Sequence, residues 1–221
     1  MQRIILQTSV SDLSSLTWTS LKVIRQILSA CCPRIKPLNL DAISAEDWQW
    51  LQGLFSADGN KIVNDGKYGK HYVVRISFDK NNDSLIIEKC ARIIKAIGLS
   101  PTKVLTGNCL TIKGTSKQLF NSLNKIPNKS AVTAAFVAGA IDGDGWVDHR
   151  AIQFGQSHIP ELFEAISTYF KEQNVHVGVW TRSDKPDYRR MYIPLSVLKS
   201  TDVSTHSIKA QRILSGGAAR I

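Results

Sequence analysis

One short pattern occurs twice in this 221-residue chain, and few folds accommodate it. Leu51 to Gly59 reads LQGLFSADG, and Val137 to Gly145, 86 positions later, reads VAGAIDGDG. Each copy is apolar, rich in small residues, and closes on Asp-Gly at the foot of a predicted helix. A carboxylate is badly placed there. The last carbonyls of a helix already carry about half a negative charge, so Asp58 and Asp144 are each disfavoured by roughly 0.3–1 kcal/mol. Two acids in matching positions imply a cation that offsets the cost.

The same stretches predict how those acids meet. Gly53 and Ala57 lie four apart, on one helix face almost without side chains, and Gly139 and Gly143 repeat the arrangement. Small residues at that spacing let two helix backbones approach closely. Mutual packing of the two faces, rather than of each helix on its own sheet, sets Asp58 and Asp144 side by side. Gly59 is expected in the left-handed conformation that commonly ends helices.

Around each copy the elements recur in one order, αββαββα. Ser44-Ala45-Glu46-Asp47 caps the first helix. Tyr72, Val74, Ile76 and Phe78 then alternate with Val73, Arg75 and Ser77, as in a half-buried antiparallel strand. Further helices are expected near Ser84 to Ile97 and Ser116 to Leu123, with strands at Lys103 to Thr106 and Cys109 to Lys113. The second unit has strands at Trp146 to Asp148, Ala151 to Gln156, Val175 to Trp180 and Tyr188 to Ile193, and a helix from Pro160. The expected organisation is an α+β fold of two pseudo-symmetric repeats. An N-terminal arm spans 1–43, with a helix near Thr19 to Cys31; the half-domains span 44–127 and 128–221. Asp58 to Ser84 covers 26 positions and Asp144 to Pro160 only 16, so the two arms are unequal.

The charge names the class of partner. The chain carries a formal +10, and residues 59–129 hold thirteen Lys/Arg against four acids. That balance suits a polyanion, nucleic acid above all. No run approaches the ~18–20 apolar residues of a membrane span. Four cysteines without metal-finger spacing read as reduced thiols in an intracellular protein.

At the two duplicated stretches the sequence resembles the LAGLIDADG homing endonucleases in their single-chain, two-repeat form. The resemblance covers roughly residues 44–215. It implies a central two-helix interface, two saddle-shaped antiparallel sheets lying in the major groove, and double-strand cleavage that leaves 3′ overhangs. The final acids, here Asp58 and Asp144, would bind divalent metal with help from the carbonyls of Ala57 and Gly143. Hard oxygen ligands without a Cys/His cluster favour Mg²⁺, with Mn²⁺ as a substitute, over Zn²⁺. Of the residues that support the metal in such enzymes, Lys113 and Gln156 match by position, and Lys80 is the first-half candidate opposite Gln156.

Base and backbone contacts are expected from Asn60, Lys61, Asn64, Lys67, Tyr68, Lys70, Arg75 and Ser77 in the first half. Trp146, Asp148, Arg150, Gln153, Arg182, Lys185, Arg189 and Tyr192 serve in the second. Trp146 and Trp180 are equally compatible with a core position. The expected partner is a long, non-palindromic DNA duplex bound by a monomer in a prokaryotic cytoplasm or an organelle interior, with no membrane. The same scaffold and charge also suit an RNA-binding maturase acting on intron RNA, or a catalytically inactive DNA-binding regulator.

Overall fold

The computed structural model describes residues 37–66, 69–126, 132–148 and 150–215. The expected helix near 19–31 and the hairpin-tip residues Lys67 and Tyr68 lie outside them. Leu38–Ile221 forms one compact unit, tied at its start by Leu38 N donating to Gln118 Oε1 (2.9 Å) and Asn39 N to the Ile97 carbonyl (3.1 Å).

The first repeat opens with α1 (Ala45–Asp58), followed by β1 (Gly59–Gly66), β2 (Gly69–Asp79), α2 (Ser84–Ala96), β3 (Thr102–Thr106), β4 (Cys109–Thr115) and α3 (Lys117–Ser122). The second runs α4 (Ala134–Asp144), β5 (Gly145–Asp148), β6 (Ala151–Gln156), α5 (Pro160–Glu172), β7 (Gly178–Arg182), β8 (Lys185–Pro194), α6 (Leu195–Ser200) and α7 (Ile208–Leu214). Caps start the paired helices where the sequence supplies them. Ser44 Oγ accepts from Asp47 N at 3.0 Å, and Thr133 Oγ1 from Phe136 N at 3.2 Å, each satisfying one amide that the helix cannot.

Each repeat builds a four-stranded antiparallel sheet, in the order β1-β2-β4-β3 or β5-β6-β8-β7. Strand alternation sends Val74, Ile76, Phe78 and Ile112 of the first sheet into a core shared with Cys90, Ile93 and Ile94 of α2. Ile152, Phe154, Met191 and Ile193 do the same in the second, with Leu162, Ile166 and Phe170 of α5. The opposite face of each sheet is left uncovered by helices.

The two repeats meet through α1 and α4, and they meet at their backbones. A Cβ added to Gly53 would fall 1.9 Å from the Phe136 carbonyl oxygen, and one added to Gly139 would fall 2.0 Å from the Trp50 carbonyl oxygen. The reciprocal geometry is that of a local twofold. Buried side chains flank the contact, Trp50, Leu51 and Leu54 on one helix and Val137, Ala138 and Ala140 on the other.

One expectation is corrected. Gly59 is extended, with φ −71° and ψ 154°, as is Gly145 at φ −86° and ψ 143°. Neither helix turns back on a left-handed cap, because each runs straight into its first strand. Glycine serves here for space instead: a Cβ on Gly59 would come within 2.1 Å of the Phe55 ring, and one on Gly145 within 2.4 Å of the Ile141 carbonyl oxygen.

Gly53→Ala or Gly139→Ala must push two backbones apart. Each is expected to lower unfolding free energy by about 3 kcal/mol or more in chemical denaturation, at the upper end of overpacking effects. Gly178→Ala, whose added carbon meets its nearest neighbour at 3.7 Å, should change it by less than about 1 kcal/mol.

Candidate active site and nucleic-acid interface

Because α1 and α4 touch along their length, their C-terminal acids converge. Asp58 Oδ2 lies 3.5 Å from where a Cβ on Gly143 would sit, and the Cβ of Ala57 lies 2.6 Å from it. Burial raises Asp144 to about 7; the charge of Asp58 adds to the rise and Lys125 opposes it. Burial also raises Asp58 to about 6, with Lys125 pulling it down and Asp83 pushing it up. Asp58 still has solvent on one side. The pair is short of positive charge.

Lys125 supplies part of it. Its Nζ donates to the Ala57 carbonyl at 2.8 Å and the Ser56 carbonyl at 3.2 Å. Its own pKa is lowered by burial, against the pull of Asp144 and Asp58. An ammonium held by terminal helix carbonyls and facing two carboxylates occupies the kind of position a bound cation would take. The donor set is all oxygen: two carboxylates and the carbonyls that precede them. That suits a hard divalent ion such as Mg²⁺ or Mn²⁺. Among the described residues no group of three or more His, Cys, Asp or Glu is gathered that could hold a metal ion of any kind, so the two carboxylates would need carbonyl or water oxygens to complete a coordination shell.

Sequence reasoning missed Lys125. It stands 67 positions from Asp58, in the loop after α3, and carries no local motif; only the tertiary path of that loop brings it to the site. Gln156 ends β6, and its Nε2 donates to Asp144 Oδ2. Register resolves its first-half counterpart. Gly59 pairs with Ile76 as Gly145 pairs with Phe154, so Gln156 corresponds to Phe78, a core residue. Lys80 lies beyond the end of β2, in a turn built by Asp79 accepting from Asn81 N and Asn82 Nδ2. In that loop it is Asp83, not Lys80, whose charge reaches Asp58.

Two residues on the same helix end behave in opposite ways. Asp142 is buried, and its carboxylate accepts from Trp50 Nε1 (2.9 Å), Thr205 Oγ1 (2.6 Å) and His206 N (2.8 Å), with His206 Nδ1 at 2.9 Å. It ties the C-terminal segment to α1 and α4, in keeping with the structural role expected for it. Asp144, two residues on, is left facing Asp58.

Several of the residues expected to contact nucleic acid lie on the uncovered sheet faces. On the first, Asn60, Arg75, Lys113 and Thr102 form one cross-strand row, and Ser77 bonds Thr111 (3.0 Å) in the next. Lys113 thus sits one row from the site. Asn64 and Lys70 are exposed toward the hairpin tip. Lys61 departs from expectation. It pairs with the buried Val74, and its ammonium lies over the rings of Phe120 (4.9 Å) and Phe55 (5.9 Å), on the helix side.

On the second sheet the row that matches Asn60–Arg75–Lys113–Thr102 is Trp146–Gln153–Tyr192–Gly178. Asp148 accepts from Gln153 Nε2, while Arg150 and Lys185 are exposed. Arg182 ends β7, and its side chain lies outside the described set. Arg189 is a second correction: it pairs with Glu164 of α5, on the helix side. Strand alternation gives the outer face to Arg190 instead. Its guanidinium lies 4.7 Å from the Trp146 ring, 5.3 Å from Trp180 and 5.6 Å from Tyr188.

The raised acid has a signature in stability. Burial pushes Asp144 in the fold up to about 7, above the ordinary carboxylate range, so the native state holds the proton more tightly than the unfolded chain. The resulting stability is fully present below pH ~4 and is lost as pH rises through about 7. In metal-free protein, Asp144→Asn should therefore melt at increasingly higher temperature than wild type between pH 5 and pH 8. Equal melting differences across that range would show that Asp144 is not held protonated.

Searches for relatives agree with this architecture. No family profile and no curated protein matches the sequence. Solved structures do match. I-DmoI in complex with DNA and Ca superposes with a TM-score of 0.61 at 17% identity, covering 77% of this chain and 97% of that one. I-DmoI with DNA and Mn gives 0.58 at 19%, over 73% and 98%. The meganuclease I-SmaMI bound to uncleaveable DNA gives 0.52 at 12%, over 82% and 88%. Another of the matching structures names I-DmoI a homing endonuclease. This chain therefore has the fold of the LAGLIDADG homing endonucleases, with both repeats in a single polypeptide.

Proposed function

We propose that this protein is a site-specific, metal-dependent DNA endonuclease that cuts both strands of a long, non-palindromic duplex and leaves 3′ overhangs. The observation that carries the proposal is the convergence of Asp58 and Asp144, each raised well above the ordinary carboxylate range, at the point where both uncovered sheet faces begin. Among the solved structures with this fold, those of I-DmoI include complexes with DNA in the presence of Mn, Ca or Mg, which supports the same reading.

Asp58, Asp144 and the carbonyls of Ala57 and Gly143 would hold Mg²⁺, or Mn²⁺ in its place. When bound, such an ion supplies positive charge to the scissile phosphate and lowers the pKa of an attacking water. The chain's own groups do the rest. Gln156 fixes the rotamer of Asp144, and Lys125 fixes the helix-end carbonyls and offsets negative charge while a polyanion approaches. Lys113 and Arg75 bring two cations to the phosphate backbone beside the site. Phosphate contact positions the duplex, and amide and guanidinium groups on the sheet faces read base edges. The support is lopsided: the second-half acid has Gln156, and the first-half acid has Phe78 in the same place. The two strands are then cut at unequal rates.

Asp58→Asn or Asp144→Asn should abolish cleavage in Mg²⁺ while binding in Ca²⁺ stays within about threefold; lost binding would make the acids structural. The substrate is a plasmid library of candidate insertion sites, read out by staggered double-strand breaks. Absence of cutting at any of them would sink the endonuclease reading. Gln156→Leu should slow one strand selectively, so that nicked circles accumulate before linear product on a gel. A parallel loss on both strands would argue against an asymmetric role for Gln156.

A further inference from the structure

The two sheet faces are the same in strand order and register but opposite in chemistry. The first presents Asn60, Arg75, Lys113 and Thr102 in one row and Ser77, Thr111 and Val104 in the next. The second presents Trp146, Gln153, Tyr192 and Gly178, then Gly155, Arg190 and Trp180. Trp146, Trp180 and Tyr192 are 38%, 53% and 45% exposed. Large aromatics normally turn inward, so an exposed group of them marks a contact surface.

These rings are held in place. Arg190 lies against Trp146, Trp180 and Tyr188, and its Nη1 donates to Gln153 Oε1 at 2.9 Å. Its Nε is buried with no partner, so the guanidinium is committed to stacking rather than free to follow a phosphate. Gly155 leaves room for Tyr188, whose hydroxyl would stand 2.3 Å from an added Cβ. Beside the cluster is a hollow of about 280 Å³, lined by Gln153, Gly178, Val179, Trp180, Arg190 and Tyr192. Most of that lining is apolar.

The 5-methyl of thymine is the one apolar group that projects from a major-groove floor; cytosine has only a C5–H in that place, and the hydrogen-bonding edge atoms are polar donors and acceptors. We infer that the Trp146–Trp180–Tyr192 face reads the 5-methyl groups of thymine in the half-site bound by the second repeat. The inference rests on the duplex-binding function proposed above, and the matching strand order and register of the two sheets is what assigns this surface to the same duplex as the polar face of the first. The first half-site is then gripped mainly by charge and hydrogen bonds, the second mainly by shape and methyl contact. Stacking of unpaired bases is the other use of exposed aromatics. It is disfavoured here because the Arg190 guanidinium already lies over the Trp146 and Trp180 rings.

The test uses the full chain in Ca²⁺ with a randomised duplex library, then synthetic duplexes of the selected site with deoxyuridine replacing thymidine in one half at a time. Asn60→Ala tells the halves apart, since it removes an amide from the outer row of the first sheet and so relaxes selection in the half bound by the first repeat. Thymine should be enriched in the other half. Removing its methyls there should weaken binding by about fourfold for each one buried, the transfer value of one such carbon, and by less than twofold in the first half. Trp180→Ala and Tyr192→Ala should erase the deoxyuridine effect and leave the slope of log affinity against log salt unchanged, because no phosphate contact is removed. A selected site in which deoxyuridine is neutral in both halves overturns the inference and leaves the endonuclease reading intact. So does preferential binding of single strands through the same aromatics. Failure to select any duplex sequence overturns both. The wild-type deoxyuridine comparison stands even if a variant misfolds.

Discussion

The contact between the backbones of α1 and α4 determines the rest of the architecture. At Gly53 and Gly139 each helix presses a peptide carbonyl into the space where the other would carry a side chain. No lateral adjustment is open to helices at that separation. Both sheets begin at the residue after the helix, so the same contact that positions the acids also sets the spacing of the two faces. The geometry of the site and the geometry of the surface around it are one constraint.

Electrostatics at the helix ends shows what that constraint is for. Asp142 and Asp144 share the last turn of α4, yet Asp142 is surrounded by donors from Trp50, Thr205 and His206, and Asp144 receives Gln156 while facing another acid. Unscreened, two carboxylates at contact distance repel by about 4 kcal/mol at an effective dielectric of 20. The fold tolerates this because Lys125 offsets part of it and because a proton can be held near neutrality. A site kept deficient in positive charge is one ready to take a cation.

Much of this was legible in the sequence, and the rest was not for physical reasons. Duplication exposed the paired helices, because a small-residue face ending in an acid is improbable twice. Alternation in Tyr72 to Phe78 assigned the faces of β2 correctly. The second sheet was harder. Tyr188-Arg189-Arg190-Met191 carries two adjacent arginines, and only register says which faces outward; the sequence alone favours neither, and Arg190 is the one on the face. Lys61 failed for the same reason, since a lysine next to Asn60 on a basic strand looks solvated until Phe55 and Phe120 are found beneath it. Gly59 was misread because a glycine after a helix usually makes a left-handed cap; here the next strand needs the space. Lys125 had no signal to read.

An interface built from main-chain atoms has an evolutionary consequence. Ordinary domain interfaces drift by compensating pairs of side chains, one growing as its neighbour shrinks. Here the apposed positions have no side chain to enlarge, so neither helix can accommodate a change in the other. The two halves are free to diverge everywhere else. Their faces differ, one polar and cationic and the other aromatic, on either side of the same glycine-to-carbonyl seam. Grafting a half from a relative onto this one should depend far less on matching the surrounding core than on keeping glycine opposite carbonyl on both sides of the seam.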